Sequence, residues 1–490
     1  MERSDRPAPV LARELFASLP PPRRVPGALD LIRAHNREDG VRLVVFDDDP
    51  TGDQTVHGVP ILTLAAPMDE IAGAVLEEDH PAVFVLTNSR SMDPGDAAET
   101  AARLAGTLYE RARRNGAELR VISRSDSTLR GHFPTETDAL AKAAASAGIP
   151  YDGVLLCPAF LEAGRFTVGD VQWVRSGETL RPSCDTEYAR DAAFGYSEAT
   201  LPEWAAARTG RDRSEIVVVS LADLRVGGVA RVADRLRAVD GRIVVANAAD
   251  PADLEVLCLA LREAERAGTR LLYRTGPSFV RVRAGLPTRP PLTFADLFPA
   301  TASPGPGLVV AGSHTELTSR QIAAARARHR LAYVELDVRE VLAGGDRAAG
   351  ETARCAADLR DALARRDGFL ATSRTSTHAD SPSASLADSR RISHAVAGVV
   401  AAALDALGGR PPRFLVAKGG ITSLDVATEA FGVRRATVLG QLDEGRLSVW
   451  RPAGGRSPGM PYVVFPGNVG TEHTLADVLH TLAPTEKRTR

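Results

Sequence analysis

Three adjacent carboxylates, Asp47, Asp48 and Asp49, end a short apolar run and lead straight into Pro50-Thr51-Gly52. Like charges this close gain nothing from a core. The run 41–46 has the length and β-branched content of a buried strand. At the mouth of such a strand in an α/β sheet, acids sit where ligands bind. The cluster suits a magnesium ion, a cationic or polyol substrate, or a base that takes a hydroxyl proton. The plain structural alternative is a solvated acidic turn bent by Pro50 and Gly52.

A second polar loop follows the expected strand 119–124. Ser125-Asp126-Ser127-Thr128-Leu129-Arg130-Gly131-His132 packs a carboxylate, hydroxyls, a guanidinium and an imidazole together. A polyhydroxylated acid needs acceptors for its hydroxyls and a fork for its carboxylate. Asp126 can serve the first and Arg130 the second, because arginine binds carboxylates bidentately. An ordinary polar loop with Asp126 as a helix cap is the competing reading. Thr87-Asn88-Ser89-Arg90 follows the strand 82–86 and could add another polar wall. Cys157 closes the next strand and has no activating base beside it, which makes it a small buried filler.

The second half has a different character. The apolar run 414–417 enters Lys418-Gly419-Gly420-Ile421-Thr422-Ser423, and a helix is expected after it. Paired glycines at a strand-to-helix turn let backbone N–H groups approach an anion. Lys418 would add a point charge for a phosphate, and it is one of only three lysines among 60 basic residues. The order of residues is not that of a Walker A loop. Gly312-Ser313-His314-Thr315 and Pro466-Gly467-Asn468-Val469-Gly470 also follow short apolar runs. Together the three turns suggest one nucleotide cleft.

These loops need a scaffold, and the chain supplies one. Strands are expected at 41–46, 82–87, 119–124, 153–157, 216–220 and 243–246, with helices at 93–115, 133–147 and 251–267. Asp93-Pro94 offers an N-cap and a first-turn proline. After a Pro/Gly-rich break at 286–307 the rhythm returns, with strands at 308–311, 333–336, 369–372, 414–417 and 437–439. Helices are expected there at 318–328, 393–407 and 423–431. This alternation predicts an α/β fold of two α/β domains with mostly parallel sheets. The expected division is an N-terminal extension at 1–40, a substrate domain at 41–290, a linker at 291–307 and a nucleotide domain at 308–490. The polar stretch 373–389 reads as a loop.

Bulk properties narrow the function classes. The 490 residues exceed what one core needs. Charged residues are 25% of the chain and the net charge is −2, so no basic surplus argues for nucleic acid or an anionic membrane. No apolar run is long enough to span a bilayer, and the first residues lack the apolar core of a secretory signal. Four scattered cysteines form no metal spacing. A reduced, cytoplasmic enzyme is the expectation.

Taken together, the motifs resemble those of the four-carbon acid sugar kinase family. Asp48-Asp49-Pro50-Thr51-Gly52 looks like its DDxTG signature, and Asp126 to Gly131 is similar to its DSTxRG loop. Cys157-Pro158-Ala159-Phe160 with Gly164-Arg165-Phe166-Thr167, and Glu187-Tyr188-Ala189-Arg190-Asp191, also look familial. In the second half, Gly312-Ser313, Gly419 to Ser423 and Gly467 to Gly470 resemble its GSxS, GGxTS and GNxG turns. There are departures. The family commonly has lysine where this chain has Arg124, and asparagine where it has His132; the GSxS turn ends in Thr315. These fall chiefly on the substrate side.

The resemblance implies a substrate domain followed by a nucleotide-binding domain. It also implies phosphoryl transfer from ATP with Mg²⁺ to a sugar acid such as threonate, erythronate or 3-oxo-tetronate. Asp49, and after it Asp126, are the candidates for the base. Asp48, Thr51, Asn88, Arg90, Ser127, Thr128 and Arg130 are the candidate substrate contacts. Ser313, Lys418, Gly419, Gly420, Ile421, Thr422, Gly467 and Asn468 are the candidate nucleotide contacts. No metal ligands are assigned, and the oligomeric state is left open, a homodimer being one option.

Two other readings fit parts of the chain. Asp47 to Thr51 also spells the D-x-D-x-T nucleophile motif of haloacid dehalogenase-like phosphatases. There Asp47 would be phosphorylated, Asp49 would be the acid/base, and Lys418 and Asp443-Glu444 would complete the site. That reading leaves the Asp126 loop and the glycine turns without a role. A catalytically silent sugar-acid sensor would keep Asp126 and Arg130 but have no use for Lys418-Gly419-Gly420.

Overall fold

The computed structural model describes residues 6–298, 305–374, 382–408, 410–443 and 445–483. The chain forms two compact units. One contains the chain up to Val59 together with Pro67–Thr288, and the other contains Pro60–Ala66 and the chain from Arg289. Among the described residues no helix is long and apolar enough to cross a membrane.

The first unit is built on seven parallel strands: β1 (Val41–Asp47), β2 (Val83–Leu86), β3 (Glu118–Arg124), β4 (Gly153–Cys157), β5 (Ile216–Val219), β6 (Ile243–Ala246) and β7 (Leu271–Thr275). Their order is β5-β6-β4-β7-β3-β1-β2. Parallel strands buried on both faces read as continuous apolar runs, and Leu43, Val44, Val45 and Phe46 are all buried. After β1 the chain moves toward β2, whereas after β3 it moves toward β4. The crevice between the carboxyl ends of β1 and β3 is therefore the topological switch point, where ligands bind in open α/β sheets. Register places Asp47 directly beside Arg124 there.

The helices of this unit include α1 (Ala28–Glu38), α2 (Pro94–Asn115), α3 (Thr135–Ser146), α4 (Pro251–Arg266) and α5 (Pro277–Arg283). Pro94 occupies the first turn of α2 as expected, although Asp93 makes no side-chain cap bond; Gly116, left-handed at φ 64°, ends the helix. The chain before residue 41, expected as an extension, folds into the unit. Val10–Leu11 pairs with Thr179–Pro182 at the edge of a small antiparallel sheet. The Arg225 guanidinium donates to the Pro20 carbonyl, and Arg262 on α4 holds Asp39 at 2.7 Å. That small sheet, with Arg165–Val168 and Val171–Ser176, and β7 escape the simple strand–helix rhythm of the sequence.

The second unit has five parallel strands followed by antiparallel ones. They are β8 (Leu308–Ala311), β9 (Ala332–Leu336), β10 (Gly368–Thr372), β11 (Leu415–Lys418), β12 (Arg435–Asp443), β13 (Leu447–Pro452) and β14 (Tyr462–Phe465). The order is β12-β13-β14-β11-β8-β10-β9, with β13 antiparallel to both β12 and β14. Thr63 extends it beyond β12, donating through N and Oγ1 to Arg434 and Val433 carbonyls at 2.9 and 3.0 Å. Helices α6 (Glu316–Arg328), α7 (Gly345–Leu363), α8 (Pro382–Ala406) and α9 (Gly420–Asp425) complete its frame. The chain leaves β8 toward β9 and leaves β11 toward β12, so β8 and β11 flank this unit's own switch point.

Several expectations shift. The helix expected at 423–431 begins earlier, at Gly420, and changes after Asp425 into π-helical Val426–Ala430. Of the expected linker, residues 291–298 belong to the second unit and carry a short helix, Phe294–Leu297; 299–304 lie outside the described residues. Of the polar stretch 373–389, α8 takes up the part from Pro382, and 375–381 lie outside the described residues. Glu444 does as well.

Candidate functional site

At the switch point of the first unit the three acids are met by two arginines. Arg124, at the end of β3, donates from Nη1 to Asp47 Oδ1 at 2.9 Å and to Asp48 Oδ1 at 3.3 Å. Arg90, on the short 3₁₀ turn after β2, donates from Nη1 to Asp49 Oδ2 at 3.0 Å and from Nε to Asp48 Oδ2 at 3.3 Å. The Thr51 N–H caps Asp49 Oδ1 at 2.7 Å, and its hydroxyl reaches the same oxygen. Three like charges are thus tolerable because two guanidiniums and a turn share them.

The three acids are not equivalent. Asp47 is fully buried. A Cβ on Gly52 would lie 2.1 Å from its carboxylate oxygens, so only glycine lets the turn fold over it. Burial, reinforced by Asp48, Asp53 and Asp49 and opposed by Arg124, pushes the Asp47 carboxyl up to about 8. Asp49 keeps about a fifth of its side chain exposed. Burial works against its ionisation, but Arg90, Arg124 and Thr51 outweigh burial and hold it below the usual carboxylate range. Asp47 is therefore scaffolding. A nucleophile needs access for a phosphoryl group, and the wall over Asp47 leaves none, which overturns the phosphatase reading.

The Asp126 loop stands beside this cluster. Asp126 Oδ2 accepts from Arg130 Nε at 2.7 Å and from the Thr128 hydroxyl. Burial opposes its charge, yet Arg130, Arg90 and Thr128 hold the carboxyl well below the ordinary range. The Arg130 guanidinium lies 5.1 Å over the Tyr188 ring and 4.0 Å from Asp191. Asp126 and Arg130, expected to address separate parts of a ligand, are thus paired with each other. Ser127 and Thr128 are buried; the Thr128 hydroxyl donates to Asp126, and its carbonyl accepts from the Tyr196 hydroxyl at 3.1 Å. Asn88 sits left-handed at φ 50° on the turn that presents Arg90.

Sequence reasoning missed the props under these loops. Glu136 on α3 accepts from Ser89 Oγ and from Arg274 Nη1 at 2.5 and 2.9 Å, and Arg274 also donates to Ser123 Oγ at 2.7 Å. A Cβ on Gly131 would fall 2.8 Å from Arg274 Nη2 and 2.9 Å from Asp48 Oδ2, so this glycine lets the Asp126 loop close on both. His132 Nε2 lies 3.0 Å from the carbonyls of both Ser89 and Met92, tying that loop to the one carrying Arg90. These side chains lie far apart in sequence. Only the burial of a charged residue within a strand, as with Arg274 in β7, hinted at them.

In the second unit three small-residue turns converge where β8, β11 and β14 end. A Cβ on Gly312 would lie 2.1 Å from Thr422 Oγ1, and one on Gly467 would lie 2.8 Å from Ser313 Oγ. Gly419, at φ 118°, has Ser313 N 3.5 Å from its would-be Cβ. Thr318 Oγ1 donates to Gly467 O at 3.0 Å and to Ser313 Oγ at 3.1 Å. The glycines let these turns close on one another, with the Gly312 and Gly419 N–H groups donating to the Lys418 and Phe465 carbonyls at 3.1 and 2.8 Å, and a helix starts beside them at Gly420, an arrangement that suits an anion. Ser313, Gly420, Ile421 and Gly467 are partly exposed there and Asn468 is exposed, whereas Thr422 is buried behind Gly312.

Lys418 behaves differently from its expected role. It is fully buried, and its ammonium donates to the Pro466 and Gly467 carbonyls at 3.0 and 3.3 Å while lying 3.8 Å over the Phe465 ring. Burial, with Arg374 nearby, pushes it down to about 7. It binds two turns together instead of offering its charge to a phosphate. Arg374, which sequence reasoning did not single out, donates to Ser313 O at 2.7 Å and Ser319 Oγ at 3.2 Å. All four cysteines are free and buried, and burial pushes the Cys157 thiol up to about 12, as a filler requires.

Each half of the chain matches a domain model. Residues 43–283 match the model of a sugar-binding N-terminal domain, and 308–475 that of a nucleotide-binding C-terminal domain. D-threonate kinase of Salmonella typhimurium LT2 is 29% identical over 301 residues, covering 61% of this chain and 64% of that protein. Two crystal structures share the fold over 90% of this chain. One is a Haemophilus influenzae protein, aligned over 100% of its length at 20% identity and a TM-score of 0.58. The other is a Salmonella typhimurium LT2 protein, aligned over 98% of its length at 18% identity and a TM-score of 0.62. With both domain models matched in order, the chain belongs to the four-carbon acid sugar kinase family.

Proposed function

We propose that this chain is an ATP-dependent kinase of a four-carbon sugar acid, of the threonate, erythronate or 3-oxo-tetronate class. The observation that carries the reading is the pair of Asp49 and Asp126, both held ionised by arginines and both partly exposed at one switch point. Ionised carboxylates accept the hydroxyl protons of a polyol, and the guanidiniums of Arg90 and Arg130 attract its carboxylate. D-threonate kinase, to which the chain is similar over part of its length, supports the substrate class.

Phosphoryl transfer requires positioning and charge neutralisation more than covalent chemistry. Asp49 is our assignment for the group that accepts the substrate's hydroxyl proton, with Asp126 orienting the neighbouring hydroxyls. The turns at Gly312, Gly419 and Gly467 would frame the phosphates of ATP, and the N–H groups that open the helix at Gly420 would donate to them. Magnesium would neutralise phosphate charge. The acids of the first unit, already shared among arginines, are not assigned as its ligands.

The test is ADP release from ATP and Mg²⁺ across D-threonate, D-erythronate, L-threonate and 3-oxo-tetronates. Turnover with one acid, at least tenfold above the others, supports the reading and names the substrate. Binding of an acid without ADP release from any of them would overturn it in favour of a sensor.

A further inference from the structure

We propose that His394, Asp425 and Glu429 form a binding site for one first-row divalent transition ion of the Zn²⁺ type. His394 stands on α8. Asp425 ends α9, and Glu429 lies four residues on, in the π-helical turn. One donor atom from each falls within 4.8 Å of the other two, and His394 Nδ1 is 2.6 Å from Glu429 Oε1. Donors bound to one tetrahedral zinc ion stand about 3.3 Å apart, given Zn–N and Zn–O distances of about 2.0–2.2 Å. Small rotamer changes therefore close the set. One imidazole with two carboxylates suits zinc, nickel or manganese, whereas magnesium and calcium prefer oxygen donors alone.

A second observation points the same way. Ser393 is 3% exposed, and its hydroxyl, beside the Asp425 carboxyl, has no hydrogen bond of ordinary geometry among the described residues. A buried hydroxyl in that place is suited to orient a ligating carboxylate, as outer-sphere partners do in metal sites. The alternative, a simple His394–Glu429 ion pair, gives no role to the Asp425 carboxylate gathered beside it. A bound ion would fasten α8 to the segment that follows the Gly419-Gly420 turn.

The site does not depend on the kinase reading, and its test needs neither ATP nor sugar acid. The full chain, freed of metal by chelator, is titrated with ZnCl₂ by calorimetry, and Co²⁺ is followed by its visible absorption. One ion per chain at micromolar affinity or tighter is expected. His394→Ala and Glu429→Gln should each weaken binding at least tenfold, and the double variant should lose the Co²⁺ band. Both side chains are largely exposed, so the variants should melt within a few degrees of the parent. Zinc uptake by the double variant with the parent's stoichiometry and affinity would overturn the proposal, as would a parent that binds none.

Discussion

Arg124 and Asp47 face each other in register on neighbouring parallel strands, with Nη1 2.9 Å from Oδ1. The pair is sealed at the crevice where β1 and β3 diverge. It fixes the strand end from which Asp48 and Asp49 emerge. Removing Arg124 leaves the buried Asp47 oxygen without its donor, at a typical cost of about 1–3 kcal/mol. Arg124→Leu should therefore destabilise the first unit by that order. A thermal midpoint unchanged from the parent would show that Asp47 does not need its partner.

Asp47 also predicts a pH dependence. Its folded carboxyl titrates near 8, far above the ordinary 3.8. Between those values the folded state binds the proton more tightly than the unfolded state, so stability falls as pH rises. The contribution is fully present below about pH 4 and is gone once pH passes about 8. Asp47→Asn, which mimics the protonated acid, should flatten this decline, so the variant gains on the parent between pH 5 and 8. The slope is at most about 1.4 kcal/mol per pH unit. Melting curves at several pH values would detect it, and a constant difference between the two proteins would refute it.

Asp49→Asn tests the base. The substitution keeps an acceptor for Thr51 but cannot take a proton. General-base catalysis contributes about 10²–10⁴-fold, so kcat should fall by at least 100-fold while the KM for ATP moves less than threefold. Nearly full kcat in Asp49→Asn would transfer the role to Asp126, whose own substitution would then show the larger loss.

What the sequence disclosed depended on distance along the chain. The acids of 47–49, the Asp126–Arg130 loop and the glycine turns are contiguous, and each follows an apolar run, so type and spacing exposed them. Lys418 was equally visible, but direction was not: one turn of backbone decides whether its ammonium meets a phosphate or the carbonyls of Pro466 and Gly467. Glu136, Arg274 and Ser123 come from three elements of the first unit, and their meeting is a product of strand order. The same holds for the insertion of Pro60–Ala66 into the second unit, since no local pattern marks a strand that leaves one unit for another.

Gly467→Ala probes these turns. Its Cβ would approach Ser313 Oγ to 2.8 Å, which forces the Ser313 turn to move by a few tenths of an ångström. Overpacking of this kind costs about 1–3 kcal/mol, enough to raise the KM for ATP by about fivefold to 150-fold at 1.4 kcal/mol per factor of ten. The KM for the sugar acid should hold steady. Adding Ser313→Ala, which removes the nearest atom, should recover part of the loss. An unchanged ATP KM in Gly467→Ala would take the turn out of the nucleotide site.

Lys418 titrates with the opposite slope to Asp47. Burial brings its folded value down to about 7 from an ordinary 10.5, so above pH 7 the unfolded state binds the proton that the folded state releases. Wild-type stability should accordingly rise from about pH 7 toward 10, and Lys418→Met should lack this rise. The variant is then best placed relative to the parent at pH 6 and worst at pH 9. The ammonium bonds to carbonyls 466 and 467. Its loss should therefore loosen the turn at Gly467 and raise the KM for ATP less than tenfold. A rise beyond 100-fold at unaltered stability would place the ammonium on the phosphates after all. Denaturation midpoints across that pH range report the buried ammonium, and steady-state kinetics report any contact with the phosphates.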